Sequence, residues 1–216
     1  MNSVHYPWVG TTMGTQERRS RQKDELRRKI LAAATHMFVE EGYENVSMRK
    51  IAEAIEYAPS TIYLHFRHKV ELVSSICVEA FAELERRLDS TIGQGLPPME
   101  ALRLALRQYV QFGLDHPAHY AFVFCTPPFV LKDIDPASFT TIHLCALGPF
   151  QRLRTAIESC ITSGDMPATG LESTSQSIWL CVHGITSGLI ADCGLPFIDR
   201  ERLIEESLHR ILKGAS

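Results

Sequence analysis

The sequence predicts an all-α protein of about nine helices, with a small N-terminal helix-turn-helix head followed by a larger helical body. Two observations favour this fold class. Apolar residues recur at spacings of three and four in successive segments, which places them on one face of each helix. No segment of the body alternates apolar and polar residues for long enough to predict a strand. Proline and glycine residues separate the segments, as expected between helices.

The charge distribution distinguishes the two ends of the chain. The 216 residues are 45% apolar and 22% charged, which is typical of a folded globular protein. Residues 1–74 carry 11 Lys and Arg against 9 Asp and Glu, whereas residues 75–216 carry 11 against 16. A basic first segment joined to an acidic body favours a small module that faces a polyanion.

Cysteine usage and apolar run lengths favour a cytoplasmic protein. The six cysteines are spread along the chain, with no C-x-x-C pair and no Cys/His metal spacing, so we expect reduced thiols and no metal site. No apolar run approaches the ~20 residues that span a bilayer, so we expect no membrane partner. The first residues lack the pattern of a signal peptide, and we expect residues 1–20 to form a mobile tail.

The first helix of the head is predicted to run from Arg21 to Glu41. Gly42 follows directly, at the position of a helix C-cap. A run of cations extends from Arg18 to Lys29 at the start of this helix. This run is either a solvated helix face or, in its first members, an arm that becomes ordered on nucleic acid.

A sharp turn is predicted between the second and third helices. Ser47 is a competent N-cap for a second helix that continues to about Ile55. Pro59 lies in the first turn of the third helix, and the proline ring pushes Ala58 towards an extended conformation. Three helices joined in this way form a helix-turn-helix, whose third helix can lie in the major groove of DNA. We predict that this head occupies residues 21–69.

The third helix has a buried face and an outward face. Ile62 and Phe66 are four residues apart and are predicted to point into the head. Outward-facing hydroxyl, phenol and imidazole groups are donors of the kind that phosphate contacts need. The outward residues are Ser60, Thr61, Tyr63, Leu64 and His65. A packed aromatic ring and a solvated imidazole are the alternative interpretations of Tyr63 and His65.

The segment from Arg28 to Val73, with the core I-A-x-x-I-x-Y-A-P-S-T-I-Y-L-H-F-x-x-K, resembles the DNA-binding domain of the TetR family of transcriptional regulators. The resemblance implies double-stranded DNA as a partner and a nucleoid-associated location. Its DNA-binding positions correspond here to Ser47, Met48 and Arg49 at the phosphate backbone, Ala58, Pro59, Ser60 and Thr61 at the base-facing tip, Tyr63 and His65 at phosphates, and Lys69 at the start of the fourth helix.

Two positions depart from the commonest family pattern. Glu56 stands where glycine is usual in the turn, and Ala58 stands where serine often caps the third helix. The tip also has few long side chains that could make bidentate contacts to bases. We therefore expect sequence choice to depend on Ser60, Thr61 and Arg49 together with DNA shape.

Residues 70–216 are predicted to form an effector-binding and dimerisation body. A long helix from Lys69 to about Thr91 links the head to this body. It carries an apolar stripe of Leu72, Val73, Ile76, Cys77, Ala80, Phe81, Leu84 and Leu88. Further helices are predicted over residues 99–115, from Pro117 onwards, and over residues 136–163, 172–193 and 199–213. Residues 126–136 are predicted to form a loop that packs on the body.

The last two helices are predicted to form a homodimer. Gly184 and Gly188 lie four residues apart and share a face that another helix can approach closely. The last helix adds the apolar stripe Ile204, Leu208, Ile211 and Leu212. We predict a four-helix bundle between two copies of the chain. Two-fold pairing suits a palindromic operator, whose half-sites lie roughly 34–36 Å apart.

Trp179, His183 and Gly184 resemble the W-x-x-x-H-G signature of one class of TetR-family C-terminal domains, which implies ligand binding and dimerisation. Trp179 and His183 either pack in the core or line an effector cavity. The cavity interpretation adds aromatic residues of preceding helices, namely Tyr109, Phe112, Phe122 and His143. Such a pocket suits a small hydrophobic or aromatic effector.

Together these features predict a ligand-responsive DNA-binding regulator, most often a repressor in this family, and no enzyme. The sequence contains no H-E-x-x-H, P-loop or G-x-S-x-G motif, so we predict no catalytic residue and no cofactor. The alternative is a helical protein-interaction adaptor whose head does not bind DNA. In the regulator interpretation, ligand shifts the long helix and changes the separation of the two heads.

Overall fold

The computed structural model describes residues 14–91, 95–125, 134–168, 170–191 and 194–215. These residues form nine α-helices and no strand, which confirms the all-α fold. None of the helices combines the length and the apolar character needed to cross a membrane. The helices are α1 (Thr15–Glu41), α2 (Met48–Ala54), α3 (Pro59–Tyr63), α4 (Lys69–Asp89), α5 (Pro98–Asp115), α6 (Pro117–Tyr120), α7 (Pro136–Ser163), α8 (Leu171–Ile190) and α9 (Arg200–Ala215).

Helix α1 begins earlier than predicted. It starts at Thr15, so the expected start near Arg21 is wrong. The Glu17 carboxylate accepts a hydrogen bond from the Gly14 backbone N–H at 3.3 Å, and its negative charge suits the first turn of a helix. The first turns of α1 are polar, so no apolar periodicity marked them in the sequence. Residues 1–13 of the predicted tail lie outside the described residues.

The head packs around one apolar core that also includes the start of α4. Ile30 of α1, Ile51 of α2 and Ile62 of α3 are fully buried, as is Phe66 after α3. The inward orientation predicted for Ile62 and Phe66 is therefore confirmed. The Ser47 side chain accepts the Lys50 backbone N–H at 3.2 Å, which confirms the N-cap of α2.

The turn between α2 and α3 contains a residue in the left-handed conformation. Glu56 has a φ of 62°, and no other non-glycine residue in the described ranges has a positive φ. The Tyr57 backbone N–H donates to the Ala52 carbonyl at 2.9 Å and closes the turn. A side chain in this conformation costs roughly 1–2 kcal/mol. The turn therefore keeps its shape despite the absence of glycine, at some cost in stability.

Helix α4 carries the chain from the head into the body. All eight residues of its predicted apolar stripe are buried, which confirms that part of the sequence analysis. Helices α5 and α7 pack against α4, helix α8 packs against α5 and α7, and α9 lies against α5 and α8. Ion pairs between Arg107 and Glu201, at 2.5 Å, and between Arg103 and Glu205, at 2.9 Å, hold α9 on α5.

The segment after α6 has an unusual winding. Residues Ala121–Cys125 continue α6 as a π-helix, which we call the π segment. Such wide turns are rare and occur frequently at functional sites. Residues 126–133 of the predicted loop lie outside the described residues. Asp135 then caps α7 by accepting the Ala137 and Ser138 backbone N–H groups at 3.1 and 3.0 Å.

Replacing Glu56 with glycine is expected to raise the free energy of unfolding by about 1 kcal/mol, because glycine adopts a positive φ without the steric cost. Urea denaturation followed by circular dichroism measures this change. Glu40→Gly, in the exposed part of α1, is the matched control and is expected to lower stability by about 1 kcal/mol. A loss of stability in Glu56→Gly would contradict the assignment of strain to this turn.

Candidate functional site

The exposed side of α3 forms a surface with the start of α2. Ser60 and Tyr63 are exposed, Tyr63 by 52%, and Thr61 is half-buried. The Arg49 side chain is 80% exposed and pairs with Glu53 at 3.0 Å. We call Ser60, Thr61, Tyr63 and Arg49 the α3 surface. It offers hydroxyl groups, a phenol and a guanidinium in a fixed arrangement, which suits contacts to a phosphate backbone.

Other predicted DNA-binding residues differ in their exposure. Ser47, Ala58 and Pro59 are exposed beside the α3 surface, although the Ser47 hydroxyl is already used as a cap. Met48 is 7% exposed and packs in the core of the head, so its side chain is not part of the α3 surface, although the residue lies in the first turn of α2 as predicted. An apolar residue in the first turn of a short helix points towards the core because the remaining face is polar.

Lys69 is oriented into the head. Its ammonium group donates to the Tyr43 carbonyl at 2.7 Å and to the Val46 carbonyl at 3.0 Å. It also lies 3.9 Å from the centroid of the Tyr43 ring, within the range of a cation–π interaction. These contacts connect the start of α4 to the chain after α1. They do not support the predicted phosphate contact and give Lys69 a structural role.

His65 is half-buried near two cations of α1. Burial lowers the pKa of the His65 imidazole, and the charges of Lys23 and Arg27 lower this pKa further. The side chain is therefore neutral near neutral pH. A neutral imidazole can donate one N–H to a phosphate, so the predicted contact is compatible with this electrostatic environment.

Part of the basic run of α1 stabilises the head. The Arg27 guanidinium lies 4.5 Å from the centroid of the Phe66 ring and pairs with Glu79 of α4 at 3.2 Å. Lys29 donates to the Ile55 carbonyl at 3.3 Å. These two cations therefore hold α1 against α3, α4 and the end of α2.

The body contains a cavity of about 620 Å³ lined by α4, α5, α7, α8 and the π segment. This volume lies within the range of small-molecule sites. Most of its lining is apolar and aromatic, and the polar side chains are few. The lining includes Phe81, Leu88, Leu106, Tyr109, Val123, Phe124, Phe150, Leu153, Trp179 and Val182, with the polar residues Thr91, Gln151, Arg152, Thr155 and Ser159.

The predicted effector-binding residues are only partly at this cavity. Tyr109 and Trp179 line it. Phe112 is buried in the core of the body, and Phe122 is buried against the head. His143 is exposed on α7, where its ring stacks on that of Phe139 at 6.2 Å. The prediction that Phe112, Phe122 and His143 line the cavity is therefore wrong.

His183 lies behind the cavity wall. Its ring stacks on Trp179 with centroids 5.0 Å apart and an interplanar angle of 5°. Its Nδ1 is 2.6 Å from the Tyr120 hydroxyl, which is 3.2 Å from the Tyr109 hydroxyl. Burial lowers the pKa of His183 and raises that of Tyr109 well above its usual range. These neutral groups form a polar network that orients Tyr109 and Trp179, the two predicted residues that do line the cavity.

The π segment connects the cavity to the head. Val123 and Phe124 line the cavity. Phe122 instead stacks on Phe38 of α1, with ring centroids 5.4 Å apart and an interplanar angle of 27°. Three consecutive side chains thus contact both halves of the protein. Sequence reasoning could not find this arrangement, because a π turn alters which residues share a face.

The predicted dimerisation residues divide into two groups. A side chain at Gly184 or Gly188 would meet no atom within 4 Å, so both positions of α8 border open space. Leu180 on the same helix is 61% exposed. Ile204 and Leu208 are 2% and 0% exposed and belong to the core of their own protomer, which excludes them as direct contacts. Ile211 is half-buried.

A helix-turn-helix head joined to an all-α body with an apolar cavity defines a class of ligand-responsive DNA-binding regulators. Residues 30–76 match the family of bacterial regulatory proteins named after tetR, and residues 102–212 match a tetracyclin repressor-like C-terminal domain. The second match alone covers more than half of the chain. The protein belongs to the TetR family of bacterial regulatory proteins, as its sequence indicated.

Curated relatives match over part of their length. The HTH-type transcriptional repressor KstR of Rhodococcus jostii is 33% identical over 100 residues, which are 46% of each chain. The HTH-type regulator YhgD of Bacillus subtilis is 31% identical over 87 residues, which are 40% of this chain and 46% of the relative. In both cases the matched region spans less than half of the relative.

Solved structures match over nearly the whole fold. A bacterial regulatory protein in the tetR family from Rhodococcus RHA1 superposes with a TM-score of 0.75, at 18% identity over 88% of this chain and 96% of the other. The ketosteroid transcriptional regulator KstR2 of Mycobacterium tuberculosis gives a TM-score of 0.71, also at 18% identity, over 88% and 94%. At this level of identity the similarity shows the shared fold.

Replacing Lys69 with alanine is expected to lower the free energy of unfolding by about 1–3 kcal/mol, because two backbone carbonyls lose their donor. Urea denaturation measures the change. Lys23→Ala removes an exposed cation of α1 and is expected to stay within about 0.5 kcal/mol of the parent protein. Two results together would support the phosphate contact instead. These are unchanged stability in Lys69→Ala and a decrease of about one in the slope of log operator affinity against log salt concentration.

Proposed function

We propose that the protein is a transcriptional repressor that binds a palindromic operator as a homodimer and leaves it when a small apolar or aromatic molecule occupies the body cavity. The observation that carries this proposal is the packing continuity from cavity to head. The segment that lines the cavity through Val123 and Phe124 also packs on α1 through Phe122. A ligand in the body therefore has a direct mechanical route to the DNA-binding head.

Operator recognition is assigned to the α3 surface. Tyr63 and Arg49 are exposed and long enough to reach phosphate oxygens. Ser60 and Thr61, in the first turn of α3, are the proposed contacts to base edges. Hydroxyl groups discriminate weakly between bases compared with bidentate arginine or amide contacts. Selectivity should therefore depend strongly on DNA shape and on the separation of the two heads.

Dimerisation is assigned to the open face of α8. Gly184 and Gly188 leave room for a helix from a second copy, and the exposed Leu180 adds apolar area beside them. Within the same protomer, helix α9 packs beneath α8 through the buried Ile204 and Leu208. Ile211 of α9 is half-buried and lies nearer the surface. A two-fold pair then presents two α3 surfaces to one face of the duplex, as a palindrome requires.

Release follows from differential binding. A ligand can weaken operator binding only by its preference for a protein conformation that fits the operator poorly. Filling the cavity is expected to displace Val123 and Phe124 and, through Phe122, the position of α1. Helix α4 lines the same cavity at Phe81 and Leu88, so it also responds. Movement of α1 and α4 together changes the separation of the heads.

Repression, as opposed to activation, is supported by similarity to a curated relative. The relative KstR is named a transcriptional repressor, and its matched region is 33% identical to this chain. A bound dimer that occludes a promoter is the simplest mechanism of repression.

A mobility-shift assay with the DNA upstream of its own coding sequence tests the proposal. The protein is expected to form a specific complex whose affinity falls steeply with salt, because phosphate contacts release counterions. Ser60→Ala combined with Thr61→Ala is expected to change the operator selection profile, whereas Gln22→Ala on the exposed side of α1 leaves that profile intact.

Failure to form any specific complex on palindromic DNA at low salt would contradict the regulator function and support a helical protein-interaction adaptor. A complex of equal affinity on a single half-site and on the full palindrome would contradict the homodimer. An unchanged selection profile for the double variant would show that Ser60 and Thr61 do not read bases.

A further inference from the structure

The cavity has a single charged residue in its described lining, and that residue is already neutralised. Arg152 of α7 contributes the only ionisable cation or carboxylate among the described side chains around the cavity. Its Nε and Nη2 atoms donate to the two Asp89 carboxylate oxygens at 2.6 and 2.9 Å. Its Nη1 atom lies 3.1 Å from the Glu85 carboxylate. All three guanidinium nitrogens therefore have an anionic acceptor.

Two carboxylates face one guanidinium at this edge of the cavity. The bidentate geometry with Asp89 is the strongest arrangement available to such a pair. Hydrogen bonding to Arg152 lowers the pKa of Asp89, so that carboxylate stays ionised at neutral pH. The cluster of Arg152, Glu85 and Asp89 thus carries a net charge of −1 when all three groups are ionised.

The position of Glu85 depends on the backbone of α7. A side-chain carbon added to Gly148 would lie 1.5 Å from a Glu85 carboxylate oxygen. Only glycine leaves the space that Glu85 occupies against α7. The Gly148 carbonyl also accepts from the Arg152 Nη1 at 3.4 Å. Gly148, Glu85 and Arg152, on two helices, are therefore packed so that the guanidinium is paired with a carboxylate.

An anionic ligand would meet an unfavourable environment in this cavity. To use Arg152 it would have to displace Asp89 from a bidentate pair and approach Glu85. Without Arg152 its charge would lose hydration against aromatic and aliphatic side chains. The remaining polar lining, including Thr91, Gln151, Thr155 and Ser159, offers only neutral hydrogen-bonding groups.

Building on the proposed function, we propose that the effector is an uncharged apolar molecule, such as an alcohol, ester or ketone, and that the ion cluster of Arg152, Glu85 and Asp89 excludes carboxylates. The cluster acts as an electrostatic filter. It keeps Arg152, the one cation among the described lining residues, paired with carboxylates, so that apolar contacts and neutral hydrogen bonds determine affinity.

Titrations with three probes of equal chain length test this inference: decanol, decanoate and decylamine, each below its aggregation concentration. Trp179 fluorescence reports binding in a Trp8→Phe background, which leaves Trp179 as the remaining tryptophan. Operator release by each probe is measured in parallel. Decanol is expected to bind and to release DNA, whereas decanoate and decylamine are expected to bind at least about tenfold more weakly, a difference of 1.4 kcal/mol.

Asp89→Asn and Glu85→Gln each remove one carboxylate and partly free Arg152. Decanoate is expected to bind about tenfold more tightly to these variants, with decanol binding unchanged. Two variants are used so that the test still holds if one of them does not fold, and thermal melting checks the fold of each. Glu83→Gln is the matched control, because Glu83 pairs with Arg86 and Arg87 away from the cavity.

Decanoate or decylamine binding as tightly as decanol to the parent protein would overturn the neutral-effector inference and leave the effector cavity of the proposed function intact. Failure of decanoate to gain affinity in both folded variants would overturn the filter role of the ion cluster. Absence of any fluorescence change or operator release with all three probes would contradict the apolar effector in the proposed function, and the present inference with it.

Discussion

The stacking of Phe122 on Phe38 is the contact on which the proposed communication between the cavity and the DNA-binding head depends. Phe122 is 3% exposed and Phe38 is 4% exposed, so the contact is part of a closed core. Densely packed side chains cannot shift independently of their neighbours. Val123 and Phe124 follow Phe122 directly and line the cavity, so the proposed route from the cavity to α1 spans three residues.

Several cations of the molecule stabilise its fold through ion pairs and hydrogen bonds to backbone carbonyls. In the head, Arg27, Lys29 and Lys69 are engaged with Glu79 and with backbone carbonyls. In the body, Arg152 is engaged with acidic residues of α4. Arg49 is the one cation of the α3 surface as defined above, so in the proposed function the geometry of the dimer is the main determinant of operator choice. Control of that geometry by a neutral ligand is consistent with the single cation of the α3 surface and with the pairing of Arg152 in the body.

Local patterns in the sequence predicted much of the fold. The eight-residue stripe of α4 and the Ser47 cap are properties of adjacent residues and were recognised correctly. Features that depend on packing between distant segments were not recognised. The orientation of Lys69 is set by carbonyls of another segment, and the burial of Phe122 is set by α1. Phe124 and Arg152 were missed because nothing in their local sequence indicates which helices enclose a cavity.

The most direct test of the account is the factor by which a cavity ligand weakens operator binding in Phe122→Leu, compared with the parent protein. Ligand affinity from Trp179 fluorescence and ligand-free operator affinity should both stay near parent values. The account predicts a weakening of at least about fivefold in the parent protein and a value close to one in the variant. Phe139→Leu, an exposed aromatic of α7, serves as the control. Full release in Phe122→Leu would contradict a coupling that passes through the Phe38 contact.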